Sequence, residues 1–149
     1  MKKLVVLALF VGACSRNPGP GTSLTGAVAP KLAAEQFMKA VAAQDLQAMS
    51  IAWGTVKGAA RDQVGKDGFT REELEKRLIV IQSCYAHDKF VVGEETPAPG
   101  GNRMVKVTIS RGRTTRTANF ELVKGPSDRW YVQDADFKSM QGMCGNAGR

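Results

Sequence analysis

The apolar residues that follow position 29 recur first with helical spacing. A first helix is predicted from Pro30 to about Gln44, with the proline in the first turn and an apolar side formed by Ala33, Phe37, Ala40 and Val41. Asp45 can cap a second, short helix, in which Leu46, Met49 and Trp53 keep the spacing and Gly54 suits the exit. Residues 55–68 contain three glycines and scattered charges, so we predict a connecting segment there.

A third helix begins at a strong local signal. Thr70 and Glu73 have the spacing of a capping box, and Phe69 and Leu74 that of a hydrophobic staple. The solvent-exposed side of this helix is expected to carry two i,i+4 ion pairs, Glu72 with Lys76 and Glu73 with Arg77. The predicted buried stripe is Leu74, Leu78, Ile81 and Tyr85, which Ile79 and Val80 would widen until the helix is largely covered.

After His87 the apolar residues alternate, which is typical of strands. Four strands are predicted around Phe90 to Val92, Val105 to Ile109, Ala118 to Leu122 and Trp130 to Val132, with turns at 97–102, at Gly112 and at 125–128. Three helices followed by a meander indicate an α+β domain. We expect the helices to pack on one face of a curved, antiparallel four-stranded sheet.

The amino-terminal residues have the organisation of a signal peptide. Lys2 and Lys3 precede a short apolar run from Leu4 to Val11, too short to span a bilayer. The run Val-Gly-Ala-Cys that ends at Cys14 resembles the bacterial lipobox. This resemblance implies cleavage before Cys14 and acyl chains on it, a firm membrane anchor once two or three chains are present. An ordinary secretory signal with an incidental Cys14 is the alternative.

These observations divide the chain into three parts. Residues 1–13 are the expected lipoprotein signal peptide. Residues 14–28 are the lipidated cysteine and a flexible linker rich in Pro, Gly, Ser and Thr. Residues 29–149 are the folded α+β domain. The expected location is the bacterial cell envelope, with the domain facing the periplasm or the cell exterior.

Two further cysteines, Cys84 and Cys144, are expected to form a disulfide, because an even pair in a small exported domain usually does so. Metal ligation and a catalytic thiol lack support, since His87 is the only histidine and no Cys-x-x-Cys motif is present. We therefore predict no metal and no cofactor.

Charge adds little to this interpretation. The formal net charge is +7, and removal of Lys2 and Lys3 with the signal peptide leaves +5. An excess of this size can favour anionic lipids, although it more often serves only solubility. Arg111, Arg113 and Arg116 surround Gly112 at a predicted hairpin tip that could contact anionic lipid. Nucleic acid is not an expected partner, because stacking aromatic residues are missing from this cluster.

The order of elements carries a family resemblance. An alanine-rich first helix, a short helix ending in Trp53-Gly54, a third helix and strands closing with Trp130-Tyr131-Val132 and Asp134 resemble the nuclear transport factor 2-like superfamily over about residues 29–137. The resemblance implies a cone-like fold with a pocket between sheet and helices. In enzymes of that superfamily, such as ketosteroid isomerases and polyketide cyclases, the pocket holds a carboxylate or a histidine.

Candidate chemistry is sparse. His87 with Asp88, and Asp134 with Asp136, could serve proton transfer, with Tyr131 or Tyr85 as a hydrogen-bond donor. A helix-end role for His87 and a solvated position for the aspartates are the simpler interpretations.

Trp53, Tyr85 and Trp130 are candidates to line a pocket for a flat apolar ligand, or else belong to the core. The leading hypothesis is a membrane-anchored, non-enzymatic module that binds a protein partner or a small apolar ligand. The alternatives are a pocket enzyme of the isomerase or cyclase type and a structural envelope protein.

Overall fold

The computed structural model describes residues 24–65 and 69–145. The predicted signal peptide, Cys14 and most of the predicted linker lie outside the described residues. Three helices precede a meander of four antiparallel strands, as the sequence predicted. The helices are α1 (Pro30–Ala42), α2 (Leu46–Ala52) and α3 (Arg71–Tyr85). The strands of the main sheet are β3 (Lys89–Pro97), β4 (Arg103–Arg111), β5 (Thr114–Lys124) and β6 (Trp130–Ala135), which are neighbours in chain order.

The helix starts follow the predicted capping chemistry. Asp45 accepts a hydrogen bond from the Ala48 N–H at 2.9 Å and begins α2. Thr70 and Glu73 form the full capping box at the start of α3 and exchange bonds of 3.1 and 2.8 Å. These bonds satisfy N–H groups that have no partner inside their helices.

The segment between α2 and α3 is more ordered than predicted. Gly54–Thr55 (β1) and Gly58–Ala59 (β2) form a small antiparallel hairpin, and a 3-10 turn follows at Ala60–Gln63. Gly54 is needed there because a Cβ at this position would collide with the Gly58 carbonyl of the facing strand. The sequence predicted only a connecting segment here, because two-residue strands are too short to show a period-two pattern.

The main core lies between the helices and one face of the sheet. Apolar side chains of the three helices meet alternating residues of the sheet. The largest of them are almost fully buried: Phe37, Met38, Val41, Met49, Leu78, Tyr85, Val105, Val107, Ile109, Phe120, Leu122 and Val132. A small cluster of Ala59, Val123 and Tyr131 lies apart from it. Register shifts interrupt the sheet between Val92 and Glu95 and between Glu121 and Leu122.

Cys84 and Cys144 form the predicted disulfide, which joins the last turn of α3 to the carboxyl-terminal tail. The tail is also held by Met140 and Met143, whose side chains are buried in the main core.

The end of the predicted linker is attached to the sheet. Ala27 and Trp130 exchange two backbone hydrogen bonds of 3.0 and 2.8 Å. The Tyr131 hydroxyl donates to the Thr25 carbonyl at 3.1 Å and lies 3.0 Å from the Thr25 hydroxyl. Residues 25–27 are therefore attached to β6 by both backbone and side-chain hydrogen bonds.

Candidate functional site

An apolar cavity of about 450 Å³ lies beside α3. One wall is the side of α3 from Leu74 to Ile81, and the opposite wall comes from the end of α2, the 3-10 turn and the segment after β6. The lining residues are Trp53, Thr55, Ala60, Gln63, Phe69, Leu74, Lys76, Arg77, Leu78, Val80, Ile81 and Phe137.

Aromatic contacts hold two of these walls in place. Trp53 follows directly after α2, and its ring lies 5.6 Å from the ring of Phe37 in α1. Phe137 follows β6, and its ring meets the buried Tyr85 ring edge-on at 5.7 Å. Because both partners are core residues, the Trp53 and Phe137 rings are held in fixed positions in the cavity wall.

The exposed part of α3 contributes the mouth of the cavity. Val80 lines the cavity and remains 58% exposed, while its neighbour Ile79 is 51% exposed without lining it. The prediction that these two residues lie in a largely covered helix was wrong. Both residues are apolar and were therefore assigned to the buried side of the helix. No described element packs over them.

The polar groups of the wall are already engaged. Gln63 is buried; its amide nitrogen donates to the Gly58 carbonyl at 2.6 Å, and its oxygen accepts from the Thr55 hydroxyl at 3.1 Å. The Arg77 guanidinium stacks 4.5 Å above the Phe69 ring, and Lys76 pairs with Glu72 at 2.7 Å. Among the described residues, no carboxylate, histidine or cysteine lines this cavity.

His87 and Asp88 have structural contacts. The Nδ1 atom of His87 is 2.8 Å from the Tyr85 carbonyl oxygen, and its ring packs edge-on against Phe90. Asp88 accepts a hydrogen bond from the Gly112 N–H at 2.7 Å and ties the end of α3 to the β4–β5 hairpin. Neither residue lines the cavity.

The carboxylates of the last strand do not form a pair in a pocket. Asp134 is exposed and lies opposite Glu121 in the sheet. Asp136 follows the strand and accepts hydrogen bonds from the hydroxyl and the N–H of Ser139. The Ser139 hydroxyl is the main cause that lowers the pKa of the Asp136 carboxyl below its ordinary value, so this group stays ionised.

The three aromatic residues that were candidates to line a pocket lie in different parts of the domain. Trp53 lines the cavity. Tyr85 lies behind Phe137, and Trp130 packs beside Lys124 with the ammonium 5.5 Å from its ring. Tyr131, the other proposed donor, bonds to Thr25 in the small cluster and does not reach the cavity.

The Tyr85 hydroxyl is buried and has no hydrogen-bond partner among the described residues. Burial raises the pKa of this hydroxyl, and the negative charges of Asp136 and Asp134 raise it further. Tyr85 is therefore a neutral core residue throughout the physiological range.

The three arginines of the predicted basic tip have different roles. Arg111 is half-buried and donates to the carbonyls of Cys84 at 2.8 Å and Ser83 at 3.3 Å, where it caps the end of α3. This contact gives Arg111 a structural role within the domain. Arg113 and Arg116 are exposed.

The sequence pattern missed Phe69, Val80 and Phe137 as cavity residues. Phe69 was assigned only to the hydrophobic staple and Val80 to a covered stripe. The helical pattern alone does not distinguish Val80 from the covered Leu78.

Comparison with known proteins finds no matching family model, no matching curated protein and no matching solved structure. Across residues 24–65 and 69–145, no helix has the length and apolar character needed to cross a membrane. The same residues contain no cluster of three or more histidine, cysteine, aspartate or glutamate side chains placed to bind a metal ion.

Proposed function

We propose that this chain is a non-enzymatic binding module of the bacterial cell envelope, anchored through Cys14, that holds a small apolar ligand beside α3. The observation that carries the proposal is the cavity of about 450 Å³, walled by aromatic and aliphatic side chains. Ligand sites in proteins are typically concave, mostly apolar and of about 300–1,000 Å³. The Gln63 amide already has hydrogen-bond partners in the protein, and no carboxylate is among the described lining residues. The cavity therefore favours an apolar or anionic ligand over a cationic one.

The cone-like architecture of the nuclear transport factor 2-like superfamily is part of this proposal. It is supported by the order of the elements, by helices on one face of the sheet, and by the two register shifts, since bulges of this kind bend strands. The lipid anchor is supported by the lipobox resemblance at Cys14, and the disulfide fits an oxidising compartment.

An isomerase or cyclase activity has less support. Such chemistry needs an acid or base within hydrogen-bond reach of a bound substrate. His87 lies at the end of α3, Asp134 on the exposed edge of the sheet, and Tyr131 in the small cluster, so the three candidates do not converge.

Native mass spectrometry tests ligand binding directly. The chain from Ser15 onward keeps every described core residue, and it should be purified from an oxidising compartment without detergent. We expect a reproducible additional mass on the wild type. Val80→Glu places a charge in the cavity mouth and should remove this mass, because a bound apolar ligand would take the carboxylate out of water.

Ile79→Glu is the matched control, since it adds the same charge one residue away at similar exposure without touching the cavity. It should keep the additional mass. A bare wild-type mass, or equal loss in both variants, would reject the cavity as a ligand site and direct attention to a protein partner. Labelling of the full chain with radioactive palmitate, with Cys14→Ser as the control, tests the anchor separately.

A further inference from the structure

The cavity beside α3 is apolar where it is buried and basic where it opens to solvent. Its apolar lining includes side chains that are buried or half-buried: Trp53, Ala60, Leu74, Leu78, Ile81 and Phe137. Lys76 and Arg77 also line the cavity, and both are exposed. A molecule that fills this space would therefore meet apolar groups over most of its length and cations at the solvent end.

The structure leaves the Arg77 guanidinium without the ion pair that the sequence predicts for it. Glu73, the expected partner one helical turn earlier, instead accepts a 2.8 Å hydrogen bond from the Thr70 N–H in the capping box. That N–H is also the main cause that lowers the pKa of the Glu73 carboxyl, and the charge of Arg77 contributes less. Across residues 24–65 and 69–145, Arg77 donates no hydrogen bond and forms no ion pair.

A contact with Phe69 holds Arg77 at the cavity. The guanidinium carbon lies 4.5 Å from the centroid of the Phe69 ring, and both residues line the cavity. This stacking occupies one face of the guanidinium and leaves the N–H groups at its edge for another partner. A planar guanidinium can donate to both oxygens of one carboxylate. Lys76 is already 2.7 Å from Glu72, so its charge is not counted toward a ligand.

We propose that the ligand of this cavity is a single-chain amphiphile that ends in a carboxylate, such as a fatty-acid anion. The carboxylate accepts hydrogen bonds from Arg77, and the alkyl chain packs along Leu78 and Ile81. The cavity volume of about 450 Å³ lies near the lower end of the range of about 300–1,000 Å³ for ligand sites, which favours one alkyl chain over two. This proposal rests on the ligand-binding role proposed for the cavity and is independent of anchoring at Cys14.

Isothermal titration calorimetry with dodecanoate and with dodecanol separates the contribution of the head from that of the chain, because the two probes differ only in the head group. The protein is the chain from Ser15 onward, freed of co-purified lipid. We expect dodecanoate to bind about fivefold more tightly than dodecanol, which corresponds to the upper value for an exposed ion pair. Arg77→Gln should remove this difference and leave dodecanol binding unchanged.

Arg71→Gln is the matched control. Arg71 is an exposed arginine of the same helix, lies 3.7 Å from Glu75 and does not line the cavity. This variant should therefore keep the full difference between dodecanoate and dodecanol. Decanoate should bind the wild type about 15-fold more weakly than dodecanoate, because its shorter chain buries two fewer methylene groups.

Two sets of outcomes separate this proposal from the one on which it rests. Equal affinities of the wild type for dodecanoate and dodecanol, equal losses in the Arg71 and Arg77 variants, or binding of dodecyltrimethylammonium as tight as that of dodecanoate would each overturn the carboxylate ligand and keep the cavity as an apolar site. Absence of binding by both dodecanoate and dodecanol, or binding that Val80→Glu leaves unchanged, would reject the cavity as a ligand site and both proposals with it.

Discussion

Replacing Cys144 with serine should lower the free energy of unfolding by about 4 kcal/mol. The disulfide closes a loop between residues 60 apart in sequence, and the chain-entropy treatment of a loop of that length gives about this value at 25 °C. Cys144 is the better residue to change because it is exposed, whereas Cys84 is buried in the core. The substitution thus removes the cross-link with little change to native packing.

Urea unfolding followed by the fluorescence of Trp53 and Trp130 measures this loss. Wild-type protein treated with a reductant is the control, and it should match the Cys144→Ser variant, which cannot form this disulfide. A loss below about 1 kcal/mol in both would refute the reasoning, because the closed loop would then contribute little to the entropy of the unfolded chain.

A double-variant cycle shows where the loss arises. Met140→Ala should cost about 2–5 kcal/mol, since this side chain is fully buried. If the disulfide acts on the unfolded chain, the two costs should add within about 0.5 kcal/mol. A much smaller cost of Met140→Ala in the Cys144→Ser background would show that the tail had left the core.

Three further predictions concern single contacts. Thr70→Ala should lower the free energy of unfolding by about 1 kcal/mol, because it removes the bond to the Glu73 N–H at the start of α3; urea unfolding with no change would contradict this. Ser139→Ala should raise the pKa of the Asp136 carboxyl in an NMR titration. A carboxyl whose pKa is lowered in the folded state stabilises the protein at pH values above its unfolded-state pKa, and this stabilisation is lost as the pH falls through its folded-state pKa. The variant should therefore lose less stability on acidification than the wild type. An unchanged Asp136 titration would be inconsistent with this bond. Tyr85→Phe should raise the free energy of unfolding by about 1–2 kcal/mol, since its buried hydroxyl has no partner among the described residues; a marked decrease in thermal or urea stability would argue for a bonded hydroxyl.

Most of the fold could be predicted because its signals are local. The cap at Thr70 and the alternation from Val105 to Ile109 depend on residues a few positions apart, and both were confirmed. The disulfide was predictable because only two cysteines follow Cys14.

The cavity could not be predicted because its walls meet only after folding. Trp53 and Phe137 are 84 positions apart in the sequence, and each reaches the same cavity through its own contact with a core residue. Val80 and Leu78 look alike in a helical pattern, yet only Leu78 has core residues packed over it. A pattern of apolar positions identifies what can be covered, and the arrangement of distant elements decides what is covered.

The attachment of Ala27 to Trp130 has a mechanical consequence. A pull on the amino-terminal side of the chain would act first on two backbone hydrogen bonds at an edge strand and on the Tyr131 hydroxyl. These bonds can break one after another, and Ala27 is the one buried core residue of this segment, because the other core residues begin in α1. Release of residues 24–29 would lengthen the tether by about 20 Å while leaving the helices, the sheet and the cavity intact. The domain therefore has an extensible joint at the end from which it is proposed to be held.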